Sequence, residues 1–127
     1  MDYKQISQIQ HASHCIIWEV ANWKSKIDTE FEKAEEARAR GNEGQARVCA
    51  RRAAGIAVRE FYARRGEIIR TPSAYDLLNK LIDDESVPDG LRQASSYLIL
   101  RVNEEFKLPV NVDLVAEARK LCDDLFK

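Results

Sequence analysis

NEGQARVCARRAAGIAVREFYARRG, residues 42–66, is the stretch of sequence that decides the fold. Asn42 is a residue type that caps helix N-termini, and Arg64 and Arg65 suit the last turn of a helix, where positive charge is favourable. Gly66 fits the left-handed position that often follows a helix. Between these signals, one face collects mostly small side chains at helical spacing: Ala46, Cys49, Ala50, Ala53, Ala54, Ile56, Ala57 and Phe61. The stretch therefore predicts a helix whose neighbours pack close to its backbone, because alanine leaves little to hold helices apart.

The chain before and after this stretch also has helical periodicity. The first predicted helix covers residues 3–40, and its inward side chains are Ile16, Val20, Trp23, Ile27, Phe31, Ala34 and Ala37. Asp28 is a possible second starting point within it. A third helix is predicted to begin at Thr71-Pro72-Ser73, where Ser73 and Asp76 form a variant of the capping box, and to end in the acidic turn 83–85.

Two more helices follow in the C-terminal part of the chain. The fourth is predicted to begin at Pro88 or Asp89 and to end before Pro109, because a residue preceding proline avoids helical geometry. The fifth begins at Asn111 or Asp113. No run alternates with a period of two, so no strand is predicted. We expect an all-α fold, an up-and-down antiparallel bundle of four to five helices, with residues 1–127 forming one domain.

Composition limits the classes of function. The 127 residues are 45% hydrophobic and 32% charged with a formal net charge of -1, which excludes a uniformly basic nucleic-acid binder. The charge is segregated, however: residues 38–70 contain nine arginines and three glutamates, so this segment carries +6 and the remainder −7. No apolar stretch is long enough to span a bilayer and no signal peptide is visible, so we expect a cytoplasmic protein without membrane contact.

The outward side of the helix over 42–65 combines arginine with apolar and aromatic side chains. The arginines are Arg47, Arg51, Arg52 and Arg59, and Val48, Gly55, Val58 and Tyr62 lie between them. Such a mixture is compatible with a solvated face, with a subunit interface, and with nucleic-acid contact, because guanidinium binds oxyanions and also stacks on rings. The sequence leaves these alternatives open.

Other polar residues give weaker signals for a site. Glu60 points towards the apolar side of its helix and should meet a base, with Arg64 or Arg101 as candidates and Glu105 nearby on the core edge of the fourth helix. A structural ion pair is the favoured interpretation. His11 and His14 are three residues apart, with Cys15 next to them, but further ligands are not evident and no metal site is predicted. Familiar catalytic motifs are absent, and no cofactor is expected.

The three cysteines are Cys15, Cys49 and Cys122. Their number is odd and their spacing is wide, so we expect reduced, mostly buried thiols rather than disulfides or a zinc site.

The run ARVCARRAAGIAVREFYARRG, preceded by EFEKAEEARARGN and followed by RTPSAYDLLNKLI, resembles the HEPN family of small prokaryotic helical bundles over residues 22–126. The resemblance implies a dimer-forming bundle that is an RNase toxin, a nucleotide-binding module, or the partner of a small nucleotidyltransferase. RNase members use an arginine followed four to six residues later by histidine. This chain departs from that motif because its last histidine, His14, precedes its first arginine, Arg38.

Two functional hypotheses follow. The favoured one is a non-catalytic HEPN-like module that self-associates, as a dimer, or binds a protein partner through its arginine-bearing face. The alternative is an RNA- or nucleotide-binding protein, or a divergent ribonuclease, that uses Arg47, Arg51, Arg52 and Arg59 on phosphates and Glu60 or Glu105 as the acid.

Overall fold

The computed structural model describes residues 22–100 and 111–127, and every regular element in these two ranges is a helix. The first, α1, is helical throughout 22–39. The others are α2 (Glu43–Arg64), α3 (Ala74–Asp83), α4 (Asp89–Leu98) and α5 (Leu114–Asp124). Helix α2 packs against α3 and α5, and α4 packs against the same two helices. The predicted all-α bundle is confirmed.

Polar side chains and glycine set the helix ends, as predicted. Asn42 Oδ1 accepts a hydrogen bond from the Gln45 amide over 3.1 Å at the start of α2, and Gly66 after its end has a φ of +84°. Ser73 Oγ accepts from the Asp76 amide at the start of α3. Asp113 Oδ1 accepts from two amides of the first turn of α5. These caps satisfy amides that have no partner inside their helices.

The core is built around the alanine side of α2. Ala46, Ala50, Ala53, Ala54 and Ala57 are fully buried, and Ile56 and Phe61 pack at its margin. In α1, the inward positions from Trp23 to Ala37 are buried as predicted, and the helix continues through Asp28 without a new start. The predicted core positions Ile16 and Val20 lie outside the described residues.

Fewer residues of α2 face away from the core than the sequence indicates. Val58 is 0% exposed, Tyr62 is 2% exposed and Gly55 is buried, so the prediction that these three face away from the core is wrong. The reason is that α2 is central: other helices cover more than one of its sides. A Cβ atom at Gly55 would lie 2.9 Å from the Cβ of Ala74, so α3 begins almost in contact with the α2 backbone.

Helix α4 ends at Leu98, well before the predicted end near Pro109. Three main-chain carbonyls at this end are taken by side chains of other helices. Arg51 Nε donates to the Leu98 carbonyl over 2.5 Å and Arg51 Nη2 to the Leu100 carbonyl over 2.9 Å, while the Tyr75 hydroxyl donates to the Ile99 carbonyl. These side chains replace the amides of a further helical turn as donors to carbonyls at the helix end.

One ionic cluster links three helices. Arg38, near the end of α1, donates to Glu43 at the start of α2 over 2.7 Å and to the capping carboxylate of Asp113 over 2.9 Å. The hydrogen bonds from Arg38 lower the pKa of both carboxyl groups. This cluster holds the bundle together at the end where α2 and α5 begin.

The two cysteines that the structure describes are free thiols in or beside the core. Cys49 is buried, and burial raises the pKa of the Cys122 thiol to about 12, so this thiol is protonated and unreactive at neutral pH. Cys15 lies outside the described residues.

Among residues 22–100 and 111–127, every helix is too short or too polar to cross a bilayer.

Candidate anion-binding groove

A groove of about 460 Å³ lies between α1, α2 and the start of α3. Three arginines of α2 line it, namely Arg51, Arg52 and Arg59, and Glu30 of α1 also belongs to its lining. We call this feature the arginine groove. Its volume is within the range of pockets that hold a small organic ligand.

The three arginines are held differently. The Arg51 guanidinium is anchored on the carbonyls at the end of α4, and Arg59 Nη2 donates to the Thr71 carbonyl over 2.6 Å. Arg52 is exposed and makes no hydrogen bond or ion pair with any residue that the structure describes. Within the described ranges, no carboxylate pairs with Arg52 or Arg59. None of the acidic side chains that the structure describes therefore neutralises these two positive charges.

Arg52 and Arg59 are seven residues apart, so they lie two turns, or about 10 Å, along the same side of α2. The groove also has apolar lining residues, Val48, Ile56 and Pro72, which we call its apolar floor. The ring of Tyr75 lines the same space, and its hydroxyl is held by the Ile99 carbonyl. The arrangement combines separated guanidinium groups with a surface on which a flat ring can pack.

Glu30 is the acidic residue of this site. Its side chain is 13% exposed, and its Oε1 lies 3.6 Å from the Lys33 ammonium. Its Oε2 is buried and has no hydrogen-bond partner among the residues that the structure describes. A second hollow of about 350 Å³ shares Glu30 and Ile56 with the arginine groove, and Lys26 and Lys33 line it. Both hollows that Glu30 lines thus also contain basic side chains.

The structure brings together half of the predicted site. Arg51, Arg52 and Arg59 line the groove, whereas Arg47 is half-buried and is not part of its lining. Val58 and Tyr62 belong to the core. The sequence analysis missed Glu30 and Tyr75, because a glutamate in a glutamate-rich helix and a tyrosine in a leucine-rich helix carry no distinguishing local signal.

Glu60 lies away from the groove, in a structural cluster. It is 8% exposed, and Arg64, one of the two bases considered for it, lies 3.2 Å away through its Nε atom. The Arg64 guanidinium also stacks over the rings of Trp23 and Phe126, at 5.3 and 4.8 Å from their centroids. This arrangement joins α1, α2 and the C-terminus of α5. The other predicted members of the ion pair, Arg101 and Glu105, lie outside the described residues, as do His11 and His14.

Comparison with known proteins gives no family. No family model, no curated protein and no solved structure matches the chain significantly. The geometry of the site is therefore the basis for any functional assignment.

The edge of the molecule between α1 and α5 has the opposite charge. A hollow there is lined by four acids, Asp28, Glu32, Glu35 and Glu36, with Arg119 as the basic residue. Arg119 pairs with Glu35 over 3.4 Å. Among the described residues, these acids line one hollow and the arginines of α2 line another.

Proposed function

We propose that this chain is a non-catalytic binding module that holds single-stranded RNA, or a nucleotide of the same chemistry, in the arginine groove. The observation that carries the proposal is the pair Arg52 and Arg59, which lie two turns apart beside an apolar floor with no carboxylate partner among the described residues. Guanidinium groups fork onto phosphate oxygens, and unpaired bases pack on apolar and aromatic side chains. The groove offers both within one volume.

Arg51 and Tyr75 support the groove in this account. Both donate to carbonyls at the end of α4, so they fix the position of the groove wall against α2. Arg59 is similarly oriented by the Thr71 carbonyl. A site whose side chains are already oriented loses less conformational entropy when a ligand binds.

A binding role is favoured over catalysis by the chemistry of the groove. Its charged lining residues are three arginines and one glutamate, and the chain has only two histidines, His11 and His14, both preceding every arginine. The arginine-to-histidine motif of HEPN ribonucleases is therefore absent from the sequence. Membership of the HEPN family, a prokaryotic origin, a cytoplasmic location and a nucleotidyltransferase partner remain predictions.

Self-association through the arginine-bearing face has less support than the sequence indicated. Its two apolar anchors, Val58 and Tyr62, are covered by the helices of the same chain. Among the described residues, the large hydrophobic side chain that stands exposed is Ile68, which lies in the loop after α2. Dimer formation stays a prediction, and analytical ultracentrifugation measures it directly.

Fluorescence anisotropy with a labelled single-stranded RNA of ten nucleotides tests the proposed function. We expect binding at low salt and a loss of affinity of about tenfold in Arg52→Gln, because one charge-assisted contact of about 1.4 kcal/mol disappears. The logarithm of the association constant should fall with the logarithm of salt concentration with a slope of about −1 to −2, as two phosphate contacts on a single strand require.

Arg40→Gln is the matched control. Arg40 is an exposed arginine in the turn between α1 and α2, outside the lining of the groove. Its loss changes the net charge by the same amount, so the affinity should change by less than twofold. Equal losses in both variants, or no binding of RNA at low salt, would contradict the proposal.

A further inference from the structure

We infer that the arginine groove and the hollow beside it form one binding surface, so that the ligand is a single strand of several nucleotides and not a mononucleotide. The inference rests on the proposed function and narrows its ligand class. The neighbouring hollow, of about 350 Å³, is lined by Lys26 and Lys33 of α1, and we call it the lysine hollow. Glu30 and Ile56 line both spaces, so the two spaces adjoin.

The two helices present their lining residues at the same spacing. On α2, Arg52, Ile56 and Arg59 follow one another by four and three residues, which places them on one side of the helix. The two lysines of the lysine hollow flank Glu30 of α1 by the same steps. In each set the basic residues are at the ends, and the middle residue lines both spaces. The result is two basic rows, one on each helix, beside a shared centre.

Glu30 does not cancel the positive charge of this surface. Its Oε1 lies 3.6 Å from the Lys33 ammonium, so these two charges offset each other. Lys26 is exposed and makes no hydrogen bond or ion pair with any residue that the structure describes. Arg59 donates to a carbonyl, which leaves its charge intact. Lys26, Arg52 and Arg59 are therefore three cations that no acid of the described ranges neutralises.

The extent of the surface sets the size of the ligand. Arg52 and Arg59 are about 10 Å apart along α2, and axes of packed helices are about 8–10 Å apart, so Lys26 extends the positive charge across the width of two helices. One phosphate group cannot contact charges at such separations. A nucleic acid strand carries a phosphate on each nucleotide, about every 3.4 Å when its bases stack. About three successive nucleotides therefore span the surface.

Two ligands that differ in the number of phosphates test the inference in the full chain, namely adenosine 5′-monophosphate and oligoriboadenylate of about ten nucleotides. In Lys26→Gln, we expect the dissociation constant of the strand to rise about fivefold, because one charge-assisted contact is lost. The dissociation constant of adenosine 5′-monophosphate should change by less than about twofold, because its phosphate occupies the arginine groove. Comparing variants with the same ligand removes the effect of the number of binding registers on a longer strand.

Salt dependence supplies a second measurement. On a single strand, each phosphate contact contributes about −0.7 to the slope of the logarithm of the association constant against the logarithm of salt concentration. For the strand, Lys26→Gln should make this slope less negative by about 0.7. For adenosine 5′-monophosphate, the slope should match that of the wild type.

Lys24→Gln is the matched control on the same helix. Lys24 is exposed, carries the same charge and lies outside the lining of both spaces. Because it is two residues from Lys26, it projects from the other side of α1. Its dissociation constants for both ligands should match those of the wild type to within about twofold.

The outcomes separate the inference from the proposed function. Equal effects of Lys26→Gln and Lys24→Gln on the strand, or effects of Lys26→Gln of the same size on both ligands, overturn the inference. Binding of adenosine 5′-monophosphate as tightly as the strand also overturns it. In each of these cases, binding that is weakened by Arg52→Gln leaves the proposed function standing. Failure of both ligands to bind at low salt overturns both.

Discussion

The hydroxyl of Tyr62 donates to Asp84 Oδ2 over 2.7 Å and thereby ties the end of α2 to the turn after α3. The amide and the hydroxyl of Ser86 donate to the other oxygen of Asp84. These hydrogen bonds lower the pKa of Asp84 to about 2. The hydrogen bond from the Ser86 side chain has the largest effect, and the one from Tyr62 the second largest. Burial, reinforced by Asp84, raises the pKa of Tyr62 above its ordinary value. At neutral pH the pair is therefore a neutral phenol that donates to a charged carboxylate.

Tyr62→Phe tests this arrangement through acid titration. Loss of one donor should raise the pKa of Asp84 from about 2 towards its ordinary value of 3.8. Because the folded-state pKa is the lower one, Asp84 stabilises the fold above pH 4 and this contribution is lost as the pH falls towards 2. NMR titration of the Asp84 carboxyl carbon measures the pKa in both proteins.

Ser86→Ala is the companion variant for Asp84. Its hydroxyl makes the largest contribution to the low pKa, so its removal should raise the pKa of Asp84 further than Tyr62→Phe does. An unchanged pKa in both variants would show that these hydrogen bonds do not hold the carboxylate.

At the scale of the element, the close approach of α2 and α3 depends on Gly55. A methyl group there would lie 2.9 Å from the Cβ of Ala74 and 3.1 Å from its Cα, so α3 must move to admit it. We expect Gly55→Ala to lower the free energy of unfolding by about 1 kcal/mol, because overpacking outweighs the gain in helix propensity. Chemical denaturation measures the difference.

Gly44→Ala is the counterpart on the same helix. A Cβ there meets only the Asn42 side chain, at 3.8 Å, so the substitution is free of steric conflict. It should raise the free energy of unfolding by about 0.5 kcal/mol through the reduced entropy of the unfolded chain. If both glycines responded alike, the close contact with α3 would not be what requires glycine at position 55.

The helix ends and the buried side of α2 could be predicted where residues close in sequence determine them. Asn42, Ser73 and Asp113 cap helices because of their own side chains, and the alanine side of α2 is visible in its periodicity. Periodicity cannot show that several helices surround α2, so the burial of Val58 was missed. The carbonyls at the end of α4 accept hydrogen bonds from Arg51, which is distant in sequence, and no local pattern indicates this contact.

At the scale of the whole molecule, the bundle separates charge into two regions. The arginine groove lies between α1, α2 and α3, and the acidic hollow lies between α1 and α5, with α1 contributing to both. The arginines of the groove were predictable, since they share one side of α2. Glu30 was not, because it lies in a glutamate-rich helix and only the three-dimensional packing brings it to the groove.

The central claim is that the arginine groove is where a phosphate-bearing ligand binds. Titration of ¹⁵N-labelled protein with oligoriboadenylate, followed by two-dimensional amide NMR spectra, tests it most directly because it reports the location of binding. We predict the largest shifts at the amides of Arg52, Ile56 and Tyr75, and small shifts at Glu35 and Arg119 on the acidic edge. Shifts concentrated on that edge, or no shifts at millimolar RNA in low salt, would contradict the account.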